Sequence, residues 1–321
     1  DKDEANQTVR GASLRELEAF FAEEDASKGY AGLRRIGDPN DGTAIWTRVA
    51  EDDVNAKLAY AEFLAKNRSV RQAAETLQRM ISEDPDEYRL RFALGKLFEA
   101  ANEMDEAKTV YEAIIEKTEG EETSRFALSA TTRLAVVEAR KGNVDKAFEL
   151  VEQVLTENPQ DQEALKLRGT LSLTKGDAAA AIADYRAALR DDANNADLLR
   201  LLARAHLNNS EIDVAKDTLL KGIESNPKAV ALRADMVNIY SQQQELEKAM
   251  DELEEVVKVQ PTNGKAYEGM FKIRVHQKDW TKAMVVSERV KAAFPSQPTG
   301  FYFAGLVHQA ERRLEESIEQ F

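Results

Sequence analysis

The feature that most constrains the fold of this chain is an internal repeat of 34 residues. Seven alanines form a ladder whose steps are all 34 residues, apart from a single step of 40 between the second and third: Ala73, Ala107, Ala147, Ala181, Ala215, Ala249 and Ala283. Five prolines stand twelve residues after a ladder alanine: Pro85, Pro159, Pro227, Pro261 and Pro295. A fixed period of this length predicts a stack of repeated units rather than one globular core.

Further columns indicate that each unit is helical. Mostly apolar residues stand four and eight places after the ladder alanines, with Ser287 and Lys291 as exceptions. Spacings of four fall on one face of a helix. Twelve places before the ladder stands a mostly small column: Ala61, Gly95, Ala135, Gly169, Ala203, Val237, Phe271 and Gly305. We therefore expect two closely approaching helices per unit, with the ladder alanines buried where they cross.

These columns and the terminal proline resemble the tetratricopeptide repeat (TPR), a helix-turn-helix unit of 34 residues. The resemblance covers residues 54–321, as seven complete repeats and a truncated eighth. It implies an all-α fold, a right-handed superhelix (α-solenoid) of antiparallel helix pairs whose first helices line a concave groove. The predicted repeats begin at Val54, Tyr88, Leu128, Gln162, Ala196, Val230, Gly264 and Pro298.

Two segments depart from the period. The step of 40 predicts a solvent-exposed loop at 118–123, where six residues are inserted between two repeats. Residues 1–53 do not fit the frame, and we interpret them as an N-terminal cap or degenerate helical segment. Ser13 can cap a helix over 14–21, and a loop at 37–42 and a short helix from Thr43 would follow. In this interpretation Trp46 packs inside the protein rather than binding a ligand, and residues 1–11 are loosely held.

The ends of the sequence suggest that the natural protein is longer. The chain opens without Met, which leaves room for a removed leader. The eighth repeat stops at its twenty-fourth position, and Phe301, Leu306, Ile318 and Phe321 would remain uncovered. We expect further repeats or another domain to follow, because natural solenoids end in a polar capping helix.

Composition and motifs exclude several functions. The chain has 44 Lys+Arg against 58 Asp+Glu, and no cluster of positive charge, so a nucleic-acid partner is not expected. Cysteine is absent, and no apolar stretch is long enough to span a bilayer. No catalytic or phosphate-binding motif is present, and His206, His276 and His308 fall in different repeats. We predict a non-enzymatic protein without a cofactor or metal.

The resemblance also implies where a partner binds. In TPR proteins a ligand usually contacts positions 2, 5, 9, 12 and 13 of the first helices, and here these positions form a polar stripe. Its centre comprises Arg200, Arg204, Asn238, Lys265 and Lys272. We interpret its four cations as a basic strip for an acidic or C-terminal segment of a protein partner. The stripe does not match the carboxylate clamp of chaperone-binding TPR domains, which places Lys and Asn where Arg200 and Arg204 stand.

A narrower resemblance concerns the C-terminal repeats. The segments Phe294–Pro295, Gly300–Tyr302 and Arg313–Ile318, with Gly305, are similar to long envelope-associated TPR proteins of bacterial exosortase (PEP-CTERM) and exopolysaccharide systems. This similarity implies a periplasmic or envelope-associated scaffold for assembly or secretion. Two alternatives remain open, a cytosolic co-chaperone or complex-assembly adaptor and the TPR arm of a larger enzyme such as a glycosyltransferase.

Overall fold

The structure, a computed structural model, describes residues 8–10, 33–36, 45–48, 54–118 and 125–321. From residue 54 onward the described chain consists of helices, and consecutive helices pack against each other within residues 54–159 and within residues 160–321. They are α1 (Val54–Asn67), α2 (Val70–Glu83), α3 (Tyr88–Ala100), α4 (Met104–Lys117), α5 (Arg125–Arg140), α6 (Val144–Glu157), α7 (Gln162–Thr174), α8 (Ala178–Ala188), α9 (Ala196–Asn208), α10 (Ile212–Ser225), α11 (Val230–Gln242), α12 (Leu246–Val259), α13 (Gly264–His276), α14 (Trp280–Ala293), α15 (Thr299–Ala310) and α16 (Leu314–Gln320). The predicted all-α solenoid of antiparallel helix pairs is confirmed for this part of the chain.

The ladder alanines are buried as predicted. All seven have no exposed surface, and most of the large apolar residues four places later are also buried. Where the small column holds glycine, it faces the large residue of the second helix. A Cβ added at Gly95 would lie 2.5 Å from Cζ of Tyr111, and one added at Gly169 would lie 2.8 Å from Cε1 of Tyr185. Glycine is therefore required where a tyrosine ring from the second helix packs against the first.

The turns inside the pairs share one backbone conformation. The fifteenth residue of the second to eighth repeats has a positive φ, from 56° to 85°. The next residue donates its N–H to a carbonyl five residues earlier, for example Glu103 to Phe98 at 2.8 Å. This bond is the one that closes a helix ending in a left-handed residue. The seven left-handed residues are Asn102, Gly142, Gly176, Ser210, Gln244, Lys278 and Arg312.

The N-terminal segment differs from the prediction. Three short strands, β1 (Thr8–Arg10), β2 (Leu33–Ile36) and β3 (Ile45–Arg48), form an antiparallel sheet in the order β1-β3-β2, with Trp46 opposite Val9 and Arg35. The helix predicted from Thr43 is therefore wrong over 45–48, where β-branched and aromatic residues favour a strand. The expectation that residues 1–11 are loosely held is wrong for β1. The predicted helix at 14–21 and the loop at 37–42 lie outside the described residues.

The inserted segment between the second and third pairs also falls mostly outside the described residues. Of the predicted loop at 118–123 only Thr118 is described, and it is buried, with its hydroxyl donating to the carbonyl of Ile114 at 2.9 Å. Helix α5 begins at Arg125, three residues before the expected start at Leu128. Part of the insertion therefore lengthens a helix.

The chain divides into two compact units, residues 1–159 and residues 160–321. In the second unit one apolar cluster lies around Leu199, Leu219 and Leu232, and another around Met270 and Phe303. Within the described ranges no helix has the length and apolar character needed to span a membrane.

Candidate partner-binding groove

A cavity of about 490 Å³ lies in the second unit beside the first helices of three consecutive pairs. Helix α7 contributes Lys166, α9 contributes most of the lining including Arg200 and Arg204, and α11 contributes Asp235 and Asn238. We call this cavity the partner groove. Its base is apolar, with Ala203 and Leu219 buried, while its rim carries charged and polar side chains.

Arg200 is bound to a carboxylate across the partner groove. Its Nε donates to Oδ2 of Asp235 at 2.6 Å, and its Nη2 lies 3.4 Å from Oδ1. This hydrogen bond raises the pKa of the Arg200 guanidinium further, so the arginine stays charged at every physiological pH. Asp235 neutralises much of the charge of Arg200. The pair also holds α9 against α11, so Arg200 both joins these helices and lines the partner groove.

Two other cations of the rim have no such partner. Lys166 is half-buried and Arg204 is exposed, and neither forms an ion pair with any described residue. The lining contains three cations, completed by Arg200, and two carboxylates, Asp197 and Asp235. The partner groove therefore has an excess of positive charge in a chain whose formal net charge is −14.

The structure does not bring all five predicted residues together. Arg200, Arg204 and Asn238 line the partner groove, whereas Lys265 and Lys272 do not. Lys272 is exposed and pairs with Glu268 of its own helix at 2.6 Å. A single strip of four unmatched cations is therefore not present, because acidic residues on the same or the next first helix neutralise two of them.

Among the groove residues that the prediction did not name are Lys166 and Asp235. Lys166 occupies the fifth position of its repeat, the same position that Arg200 has in the next repeat, so the repeat frame could have identified it. Asp235 occupies the sixth position, one residue away from the expected stripe. Its pairing with Arg200 depends on how neighbouring first helices are rotated, which the frame does not specify.

The buried histidine His206 makes contacts that are structural. His206 is only 1% exposed, its Nδ1 lies 2.5 Å from Oε2 of Glu211, and its Nε2 lies 3.5 Å from Nη2 of Arg186. Hydrogen bonding by His206 lowers the pKa of the Glu211 carboxyl. These contacts hold the turn between α9 and α10. The part of the chain that the structure describes contains no group of three metal-ligating side chains.

Comparison with known proteins is consistent with this geometry. Sequence models of tetratricopeptide repeat families match three stretches: a tetratricopeptide repeat-like domain at residues 41–201, and tetratricopeptide repeats at 172–236 and 232–263. The first match alone spans just over half of the chain. No curated protein sequence matches the chain significantly.

Two solved structures share the fold at low sequence identity. The C-terminal part of a TPR repeat-containing protein from Cytophaga hutchinsonii superposes with a TM-score of 0.52 and 16% identity, over 77% of this chain and 98% of that one. The APC/C hetero-tetramer Cut9–Hcn1 gives a TM-score of 0.51 and 17% identity over 68% of this chain, which spans only 42% of that chain's length. With helix pairs of the same type and a matching sequence model over half its length, this chain belongs to the tetratricopeptide repeat family.

Proposed function

We propose that this TPR scaffold binds an acidic segment of a partner protein, or its C-terminal carboxylate, in the partner groove. Lys166 and Arg204 supply the positive charge, and the amide of Asn238 offers hydrogen bonds beside them. Arg200 keeps α9 and α11 at a fixed spacing through Asp235. The observation that carries the proposal is the meeting of unmatched cations over an apolar base, because ion pairs to such cations provide orientation and the base provides burial.

Synthetic peptides test the proposal even before the natural partner is identified. Fluorescent peptides that end in Asp or Glu residues would be titrated against the full chain by anisotropy, at low and high salt. We expect Arg204→Ala and Lys166→Ala each to weaken binding by about tenfold, since a hydrogen bond to a charged group contributes about 1.5–3 kcal/mol. Both variants should also bind with a smaller salt dependence.

The control is Lys272→Ala, which removes an exposed cation outside the partner groove. This variant should bind like the unsubstituted chain. Equal affinity of all three variants, or a peptide whose binding ignores salt, would assign the groove cations to ordinary surface. Amidation of the peptide C-terminus distinguishes recognition of a terminal carboxylate from recognition of acidic side chains.

We further propose that the protein acts in bacterial envelope assembly or secretion. This proposal rests on the similarity of residues 294–318 to envelope-associated TPR proteins and on no feature of the groove. Fractionation of cells that express the full-length gene product tests it. Recovery with the periplasm or membrane would support the envelope role, whereas recovery with the cytosol would favour the co-chaperone or adaptor alternative.

A further inference from the structure

The outward face of α14 lacks the charges that the repeat places there elsewhere. Its positions 18, 22 and 29 of the repeat are Thr281, Val285 and Ala292, all exposed, and Val285 is 56% exposed. The six preceding second helices carry at least one charged residue at these positions, and five of them carry two or three. The equivalent residues are Arg71, Glu75 and Ser82; Asp105, Thr109 and Glu116; Asp145, Glu149 and Thr156; Ala179, Ala183 and Arg190; Asp213, Asp217 and Glu224; and Glu247, Asp251 and Lys258.

This apolar face borders an open groove of about 720 Å³, which we call the α14 groove. Trp280, Met284 and Val285 form its apolar wall along α14, and His308 of α15 lies on the opposite side with the turn that precedes α16. None of these residues lines the partner groove. The α14 groove is therefore a separate surface of the second unit.

The charged residues at the edge of the α14 groove are already paired within the chain. Arg289 makes two hydrogen bonds to Glu254 of α12, at 2.6 and 2.8 Å. Glu288 accepts a hydrogen bond from Lys291 at 2.8 Å, and Arg313 donates to Glu316 at 3.0 Å. An occupant therefore does not need to supply a counter-charge, and its complementary face is uncharged.

The size of the α14 groove indicates a short occupant. Ten residues line it, whereas a stable interface between globular proteins uses about 20–30 residues on each side. The groove is therefore too small to hold a second copy of this chain by itself. Its wall follows α14 from Trp280 to Ala292, about 18 Å at the rise of an α-helix, which is the length of a single helix of about 12 residues.

We propose that the α14 groove binds an amphipathic helix of about 12 residues from a partner protein. The helix places an uncharged apolar face over Trp280, Met284 and Val285. Helices that bind in this way contact the groove with apolar residues spaced by three, four and seven positions. The site lies outside the partner groove, so the scaffold has two independent binding surfaces.

A displayed library of helical peptides, selected on the full chain, provides the probe. We expect selection to enrich peptides with that apolar spacing and without a shared charge. Val285→Asp places at this position the residue found at the equivalent position of α12, Asp251, and should leave helicity unchanged by circular dichroism. It should weaken the selected peptides by about tenfold or more, because binding would bury a carboxylate.

One further variant makes the test specific. Arg204→Ala, in the partner groove, should leave the Kd of the selected peptides unchanged. Enrichment of no peptide, or of peptides whose binding is insensitive to Val285→Asp, would overturn the proposal.

Discussion

In several TPR pairs a small residue on the first helix faces a large residue on the second. Gly95 faces Tyr111 and Gly169 faces Tyr185, with the small residue on the first helix and the large one on the second. The seventh pair reverses the sizes at the same positions, with Phe271 on the first helix and Ser287 on the second, both buried. We infer that these two departures from the repeat compensate each other in volume.

A double-mutant cycle tests this compensation. Phe271→Ala alone should destabilise the chain by about 3–5 kcal/mol through a cavity, and Ser287→Leu alone by about 1–3 kcal/mol through overpacking. The double variant should be more stable than the sum of the two effects predicts, because leucine fills the space that phenylalanine leaves. Urea unfolding monitored by circular dichroism measures all three variants. Strict additivity would show that the two side chains do not share a space.

The ladder alanines make a second prediction at the same scale. Ala181 is fully buried, and Ala179 of the same helix is exposed. Ala181→Leu should lower the free energy of unfolding by about 1–3 kcal/mol, because the added methylenes separate two packed helices. Ala179→Leu is the matched control and should have little effect. Equal melting temperatures for the two variants would contradict the observed helix crossing.

Features of this fold can be predicted from the sequence where the same residue pattern recurs in several repeats. The burial of Ala181 and of its equivalents was predictable because the same column recurs in seven repeats and chance cannot maintain it. The ion pair of Arg200 with Asp235 was not predictable, because Asp235 lies one position outside the stripe of residues expected to contact a partner. The strand at Ile45–Arg48 was missed for a related reason. The sequence around this strand occurs only once, so there is no second copy with which a helical pattern could be distinguished from an extended one.

At the scale of elements, one buried carboxylate joins three helices in the first unit. Glu138 at the end of α5 is only 3% exposed. It accepts hydrogen bonds from Lys108 of α4 at 2.8 Å and from Asn143, which precedes α6, at 2.6 Å. The bond from Lys108, followed by that from Asn143, lowers the pKa of the Glu138 carboxyl below its ordinary value.

The lowered pKa of Glu138 predicts that the chain loses stability in acid. A group whose pKa is lowered by folding stabilises the native state above its unfolded pKa, about 4.3 for glutamate, and this contribution disappears as the pH falls further. Glu138→Gln should lower stability at pH 7 by about 1–3 kcal/mol and lose less on acidification than the unsubstituted chain. Glu149→Gln, at an exposed surface pair, is the control. Parallel pH profiles for all three proteins would contradict the prediction.

At the scale of the whole molecule, the second unit contains all the helices that form the partner groove and the α14 groove. Helices in a repeat array are stabilised mainly by their nearest neighbours. A fragment of residues 160–321 should therefore be helical, unfold cooperatively and bind the same peptides as the full chain. A fragment that begins at residue 178 lacks α7 and should be less stable, because α8 loses its paired helix. An unfolded 160–321 fragment would show that this unit depends on the residues before it.

The left-handed turns indicate that substitutions can make this protein more stable. Glycine occupies two of the seven positions, and five hold other residues. A left-handed residue other than glycine is unfavourable by about 1–2 kcal/mol, while glycine adds about 0.5–1 kcal/mol of conformational entropy to the unfolded chain. Glycine at each of the five would leave a net gain of about 0.5–1 kcal/mol per turn. Heat resistance can therefore be engineered into this scaffold at Asn102, Ser210, Gln244, Lys278 and Arg312 without altering a residue that lines either groove.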